Sequence, residues 1–514
     1  MKLTKPAPEQ SDSVTPHLGL WDAVSIIVGI VVGTSIFKTP NLVFSNVSGP
    51  WQGLGCWALG GLLALIGSLC YAELATTYPR MGGDYVYLTR ALGRWVGFLF
   101  GWAQLAVILT GSIGVMAFAF GDYAVKLWGL PASSSVWFAL SSVIALTALN
   151  LGGVAFGKSV QNVLSGVKVL GLTVIVLAGC LWGGGASMAA EKPIGTGGFG
   201  FAMVIVLYAF GGWNDSAFVA AEVRQRGRNM PLALVLGTGG ITLIYLLVNV
   251  AYLWGLGFEG LRSSWTPAAD VLSLSVGESG AKGMSLLVML SALGAINGLI
   301  FTGSRVYVSL GKDHRVFGWL GHWSVPRSAP VRSLLAQGAI GVLMILVVGT
   351  AAGRDWLDAV LGKIGAGVRP VVSWLVQGWS HLAPLADQDQ AVDRLLQSIG
   401  LAPLPWQKYF GGFDTLVAIT APVFWIFFLL TGVSLFVLRV KDRGIERPFS
   451  APCYPLEPLI FCGTCVFMLY SAVKYAEGLT LLGLVPLLVG LPLYWTSRWT
   501  GGKSESVPPD ATQD

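Results

Sequence analysis

The chain has 514 residues, of which 54% are hydrophobic and only 11% charged, and its mean hydropathy is +0.68. Soluble proteins carry about a quarter charged residues, so a soluble globule is excluded. Apolar stretches of about 20 residues, enough to cross ~30 Å of hydrocarbon, recur along the chain, whereas the ~10-residue alternating segments of a membrane β-barrel do not. The net charge of +6 does not mark a nucleic-acid binder, because the basic residues sit in short loops between apolar stretches.

The first 19 residues are polar and lack a signal-peptide core, so the first span is expected to be retained. Hydropathy then predicts about twelve membrane-spanning helices over 20–46, 52–78, 95–127, 134–151, 159–183, 199–222, 231–257, 282–311, 332–350, 413–439, 456–474 and 480–497. Lys and Arg gather in alternate loops, around Arg80–Arg94, Arg224–Arg228, Lys312–Arg332 and Arg439–Arg447. The positive-inside rule makes those loops cytoplasmic and puts both termini on that side, with tails 1–19 and 498–514.

The first span is interrupted at its centre by Gly33-Thr34-Ser35, followed by Lys38 and Pro40. The sixth is interrupted in the same way by Gly211-Gly212-Trp213-Asn214-Asp215. Glycine loosens a helix, and Asn and Asp compete for its backbone groups. Non-helical backbone inside a bilayer survives only against protein or a watery cavity. Two such breaks, one in each half of the chain, point to a midplane binding site between inverted repeats. Half-helices that start at a break offer N–H groups to a carboxylate, and those that end there offer C=O groups to an ammonium. Together they suit an α-amino acid. For either glycine cluster alone, close helix packing is the plainer explanation.

Between the breaks, Lys168 stands mid-span in SVQNVLSGVKVLGLTVIVLAG, too deep to snorkel and expensive unless functional. The four His fall in loops or tails and the six Cys form no disulfide framework, so no metal centre, His relay or other cofactor is expected. Residues 351–412 form a long insertion on the outer side. Trp356, Leu357, Val360, Leu361 and Ile364 make a helical stripe there, read as an interfacial helix, with a cap over the outer vestibule or a subunit contact as the alternative, and a second short helix is expected over 387–401.

Several motifs in order carry a family resemblance. GTSIF at 33–37 is similar to the signature of the amino acid–polyamine–organocation transporters. YAELATTYPRMGGDYVYL at 71–88, FGGWNDSAFVAAEVRQRGRNMPLAL at 210–234, INGLIFTGSRVYVSLGKD at 296–313 and ERPFSAPCYPLEPLIF at 446–461 resemble the L-type branch of that superfamily. The resemblance covers nearly all of the chain outside the tails and the insertion.

It implies an all-α fold of 5+5 inverted repeats with discontinuous first and sixth helices. The repeats would be 20–183 and 199–439, the latter holding the insertion, with two further helices over 456–497. It also implies roles. The N–H groups around Gly33, Thr34, Ser35 and Ile36, with the Thr34 hydroxyl, would bind a substrate carboxylate. Carbonyls at Val31, Tyr208, Ala209 and Gly211 would face the ammonium. Tyr208 would close over the substrate, although an ordinary core aromatic is the plainer reading of its chemistry. Asn214 would line the side-chain end. Lys168 would take the place of sodium, contacting the first and eighth helices, with Asn297 and Ser291 as partners; simple interhelical hydrogen bonds are the alternative for those two. Ser35 departs from the family's second glycine and bears on pocket size.

Asp215 either points into the pocket, favouring cationic substrates, or caps the second half-helix. The cap is preferred, which leaves a mostly apolar pocket and favours neutral L-amino acids. Glu73, Arg80, Asp84, Glu222 and Arg224–Arg228 are interfacial anchors or a cytoplasmic gate, with equal weight. The function expected is secondary, sodium-independent amino acid transport in the cell membrane, by exchange or proton coupling, and not an enzyme. The alternatives are a cationic amino acid or polyamine transporter, or a non-transporting sensor. The 126–135 loop has no Cys, so no disulfide-linked heavy subunit is expected, and the chain is read as a monomer or homodimer.

Overall fold

The structure, a computed structural model, describes residues 16–184, 187, 189, 198–264, 266–277, 279–379, 392–393, 396, 412–476 and 479–499. The first apolar stretch forms α1 (Leu20–Val31), stops, and resumes as α2 (Ser35–Lys38) and α3 (Pro40–Ser45). Thr39 joins these two with φ −85° and ψ −15°, so the run is helical from Ser35 to Ser45. Pro40 has no N–H to give the Ile36 carbonyl. The Tyr252 hydroxyl donates to that oxygen instead, at 3.4 Å.

The chain continues through α4 (Pro50–Thr77), α5 (Asp84–Leu92) and a third span made of α6 (Arg94–Ala103) and α7 (Leu109–Trp128), joined by a π-helical turn over Gln104–Ile108. Next come α8 (Ser135–Leu151), α9 (Val154–Trp182) and α10 (Gly198–Ala209). Beyond the second break, Trp213–Glu222 winds as a 3₁₀ helix. Then follow α11 (Arg226–Ser263), α12 (Pro267–Val276), α13 (Ser279–Asp313), α14 (Val331–Gly349), α15 (Ala351–Trp379), α16 (Gly412–Lys441), α17 (Leu456–Ala476) and α18 (Leu479–Trp499).

The described residues hold ten helical runs long and apolar enough to cross a membrane. The split first span and α18 supply the other two expected. Within the most apolar window, 78% of the third and eighth spans is buried against 33% of α9, so those two spans are central to the bundle. α1 is packed between α9, α11 and α13.

Two loop expectations are corrected. α5 and α12 are helices where the sequence reads as loop; both are too short for a span and are flanked by glycine or proline. In α15, Leu361 of the expected stripe is buried, as is Val372, while Trp356 and Ile364 of the stripe are exposed. The 387–401 helix lies largely outside the described residues, of which Val392 and Leu396 pack on Val372.

One end of the bundle gathers the cation-rich loops. There the His17 and Leu18 amides donate to the Glu222 carbonyl at 2.9 Å, and the Arg224 amide donates to the Leu18 carbonyl at 2.9 Å. Ser497 near the end of α18 lies 3.4 Å from His314 Nδ1, just past α13. The first and last described segments therefore share this end.

Candidate functional site

The first break leaves amides open. Gly33 N donates back to the Val31 carbonyl at 2.7 Å, a tight turn that stops α1. Past it, the amides of Thr34, Ser35 and Ile36 have no acceptor among the described residues. They are the first N–H groups of a new helical run, with the positive end of its dipole behind them.

The second break leaves carbonyls open. Gly212 takes φ +107°, a conformation natural only to glycine, and a Cβ there would meet Ile30 Cγ2 at 2.7 Å. The Phe210 and Gly211 carbonyls receive no hydrogen bond from the described residues. Tyr245 of α11 ties the two breaks together: its hydroxyl proton is shared between Val31 O at 3.1 Å and Ala209 O at 3.4 Å. The Val31 oxygen also accepts Gly33 N at 2.7 Å, so it is less open than the Phe210 and Gly211 carbonyls. The Tyr208 oxygen accepts Gly211 N at 3.1 Å.

Between the breaks lies a cavity of about 140 Å³. Of the site residues expected from sequence, Val31, Gly33, Ser35, Tyr208, Ala209 and Gly211 line it. Leu109 and Met116 of α7, Leu299 of α13 and Phe424 of α16 give it apolar walls. Thr34, Ile36 and Asn214 are not in the lining. The Thr34 hydroxyl is buried with no hydrogen-bond partner among the described residues.

Asp215 lines the cavity and is not a cap. The position before the 3₁₀ helix belongs to Gly212, and Asp215 lies within the helix. With three residues per turn, Gly212 and Asp215 stack on one face while Asn214 turns away. Asn214 Nδ2 donates to Asp215 Oδ1 at 3.0 Å.

Lys168 is fully buried in α9. Its Nζ donates to Gly29 O at 2.5 Å and Val32 O at 2.8 Å, the orphan carbonyls where α1 ends. Ser291 Oγ of α13 shares the task, at 2.9 Å from Val32 O and 3.1 Å from Gly33 O. α13 makes room for the lysine at Gly294, where a Cβ would stand 2.7 Å from Lys168 Cε. Asn297 is no partner of Lys168. It sits in a separate amide network, accepting from Asn150 Nδ2 at 2.8 Å and donating to Gln161 Oε1 at 2.8 Å.

Toward the cation-rich end the cavity is shut. Every residue of Trp213–Glu222 except Ala221 is buried. Glu222 does not pair with its neighbours Arg224–Arg228. It takes Arg305 of α13 in a buried bidentate pair, 2.7 Å at Nε and 3.1 Å at Nη2. Glu73 accepts from Arg439 Nε at 2.8 Å and from the Ala451 amide at 2.8 Å. Asp84 accepts from Tyr71 and, at 2.7 Å, from Thr431. These three acids are buried, which removes the interfacial-anchor reading for them. On the other side of the site, Ser112, Met116, Tyr208 and Ala421 of the lining are part-exposed.

Sequence reasoning missed Tyr245 and Arg305. The signal was available: a phenol and a guanidinium deep in apolar runs must find buried partners. It did not say which ones. No group of three or more His, Cys, Asp or Glu among the described residues has the geometry of a metal site.

Compared with known sequences, residues 18–487 match the family described as Amino acid permease. The b(0,+)-type amino acid transporter 1 of Mus musculus is 29% identical over 351 residues, 66% of this chain and 71% of its own. The serine/threonine exchanger SteT of Bacillus subtilis is 24% identical over 491 residues, 95% of this chain and 98% of its own. The Asc-type amino acid transporter 1 of Homo sapiens is 28% identical over 361 residues, 67% of this chain and 68% of its own.

Proposed function

The chain belongs to the amino acid permease family, and from that premise we propose that it is a sodium-independent secondary transporter of amino acids that works by alternating access. One observation carries the reading. Two interrupted helices meet at one cavity: the first has open amides at Thr34, Ser35 and Ile36, of which Ser35 lines the cavity, and the second has open carbonyls at Phe210 and Gly211, of which Gly211 lines it. An α-amino acid has the matching pair of charges at a fixed separation. Broken half-helices at the bilayer midplane are the usual means of holding such a zwitterion.

Sodium independence rests on Lys168, whose Nζ occupies the carbonyls of Gly29 and Val32 that a sodium ion would need. With no ion in that place, the driving force is exchange or a proton gradient. A relative named as an exchanger favours the first. We take 20–183 and 199–439 as the two repeats that rock about the site. We place the cation-rich end, with both termini, in the cytoplasm of a cell membrane. The conformation is then outward-facing, with its inner gate closed by Glu222–Arg305 and Glu73–Arg439. Without a Cys in the 126–135 loop, the transporter works with no disulfide-linked heavy subunit, as a monomer or homodimer.

The test is counterflow in proteoliposomes. Vesicles loaded with a mixture of amino acids should accumulate labelled substrate equally in sodium and in choline buffer. Uptake no higher than in empty liposomes for every standard amino acid, or uptake that needs sodium, ends the reading.

A further inference from the structure

A capping role for the acid at the second break is the reason the sequence favours a neutral substrate. With the cap assigned to Gly212, the carboxylate needs another account. Asp215 is 6% exposed. Its Oδ1 accepts from Asn214 Nδ2, and that bond is the polar contact the described structure gives the carboxylate. Oδ2 is not among the buried atoms lacking a partner, so it is the oxygen that opens on the cavity. No Lys, Arg or His of the described residues forms an ion pair with Asp215.

The surroundings deepen the deficit. The other buried acid toward the cation-rich end, Asp84, brings no cation with it. Asp84 is buried, receives only hydroxyl donors from Tyr71 and Thr431, and leaves Oδ2 with no partner. The hydroxyl of Tyr307 on α13 donates to Gln104 O at 3.2 Å and adds no positive charge. Lys168 is spent on the carbonyls of the first break. The other polar side chains of the lining, Ser35, Ser112, Tyr208 and Thr420, are neutral, and none supplies a cation. A buried carboxylate without a cation is costly, and buried charges are found paired.

We propose that Asp215 is the specificity residue of this cavity and that the side-chain ammonium or guanidinium of a cationic amino acid is its missing partner. The inference rests on the transport reading above and narrows it. The α-carboxylate takes the amides at Thr34–Ile36, the α-ammonium takes the carbonyls at Phe210 and Gly211, and the distal cation reaches Oδ2 of Asp215. An amine that lacks the carboxylate, such as cadaverine or agmatine, leaves the first break empty and competes poorly.

The experiment measures counterflow of labelled lysine, arginine, serine and leucine by wild type, Asp215→Asn and Asp215→Glu, at inside and outside pH held equal and then with an imposed proton gradient. Wild type should prefer lysine or arginine over serine and leucine by tenfold or more. Asp215→Asn should lose that preference at least tenfold while keeping or gaining neutral uptake, which also shows that it folds. Asp215→Glu should retain the preference for cations. Wild-type preference for neutral substrates, with Asp215→Asn abolishing only the response to the proton gradient, overturns the proposal and makes Asp215 a proton site. Equal loss of all substrates in both variants, with intact monodisperse protein, also overturns it. If wild type moves no amino acid at all, the transport reading falls first and takes this inference with it.

Discussion

Lys168 Nζ on α9 donates to the carbonyl of Val32 at 2.8 Å, and this bond, with a second to Gly29, stands where the next turn of α1 would have been. A helix that ends inside a bilayer leaves carbonyls that water cannot satisfy. The lysine satisfies two of them and so makes the break stable. Lys168→Ala removes a donor whose charge-assisted bonds are worth about 1.5–3 kcal/mol each. Counterflow should fall at least tenfold, with the protein still monodisperse in detergent. Normal uptake by Lys168→Ala would show that the break holds without it.

Tyr245 supplies the corresponding link between the two breaks. Its ring packs edge-on against Trp57 at 5.6 Å and lies 5.1 Å from Phe210, so Tyr245→Phe keeps the packing and loses only the hydroxyl. A buried carbonyl left without its donor costs about 1–3 kcal/mol. The expected result is a drop in uptake on the order of tenfold, with a melting temperature in detergent within a few degrees of wild type. If uptake is unchanged, the oxygens of Val31 and Ala209 need no bridge.

Both breaks were legible in the sequence because Gly33 and the Gly211–Asp215 run put helix-breaking and polar residues inside apolar stretches. Lys168 was legible for the same reason: it is expensive where it stands. What could not be read was direction. The preference for Asp215 as a cap assumed an α-helical second half. The segment winds at three residues per turn, and that puts Asp215 rather than Asn214 under Gly212 on the cavity face. Partners far apart in sequence were equally hidden. Glu222 has three arginines within six residues, yet it pairs with Arg305, which only the packing of α13 brings near. Asn297 lies on the same helix as Ser291, but it meets Asn150 and Gln161 rather than the lysine.

The Glu222–Arg305 pair is buried on both sides, with Arg305 also lying over the Phe301 ring at 4.0 Å. Removing one partner strands the other charge in a dry interior, at a cost of about 3–5 kcal/mol. Arg305→Met and Glu222→Leu should each lower the melting temperature in detergent markedly. The double variant should recover much of the loss, since an apolar pair leaves no unpaired charge. Additive losses in the double variant would show that the two residues act independently.

His314, just beyond α13 at the cation-rich end, makes this end of the protein sensitive to acid. Burial first, and Arg94 second, hold its imidazole down to about 4, below the ordinary 6.5. The ring is 5% exposed and sits edge-on to Phe98 at 4.8 Å, with Tyr494 of α18 behind it. Because the folded state binds the proton less readily than the unfolded one, the stabilisation is complete above about 6.5 and drains away as pH falls toward about 4. The difference of two to three pH units corresponds to something on the order of 3 kcal/mol. Melting temperature in detergent, followed from pH 7.5 to pH 4, should fall for wild type across that window. His314→Gln, which cannot take up the proton, should start lower and show a flatter profile. Parallel profiles for the two proteins would place the acid sensitivity elsewhere.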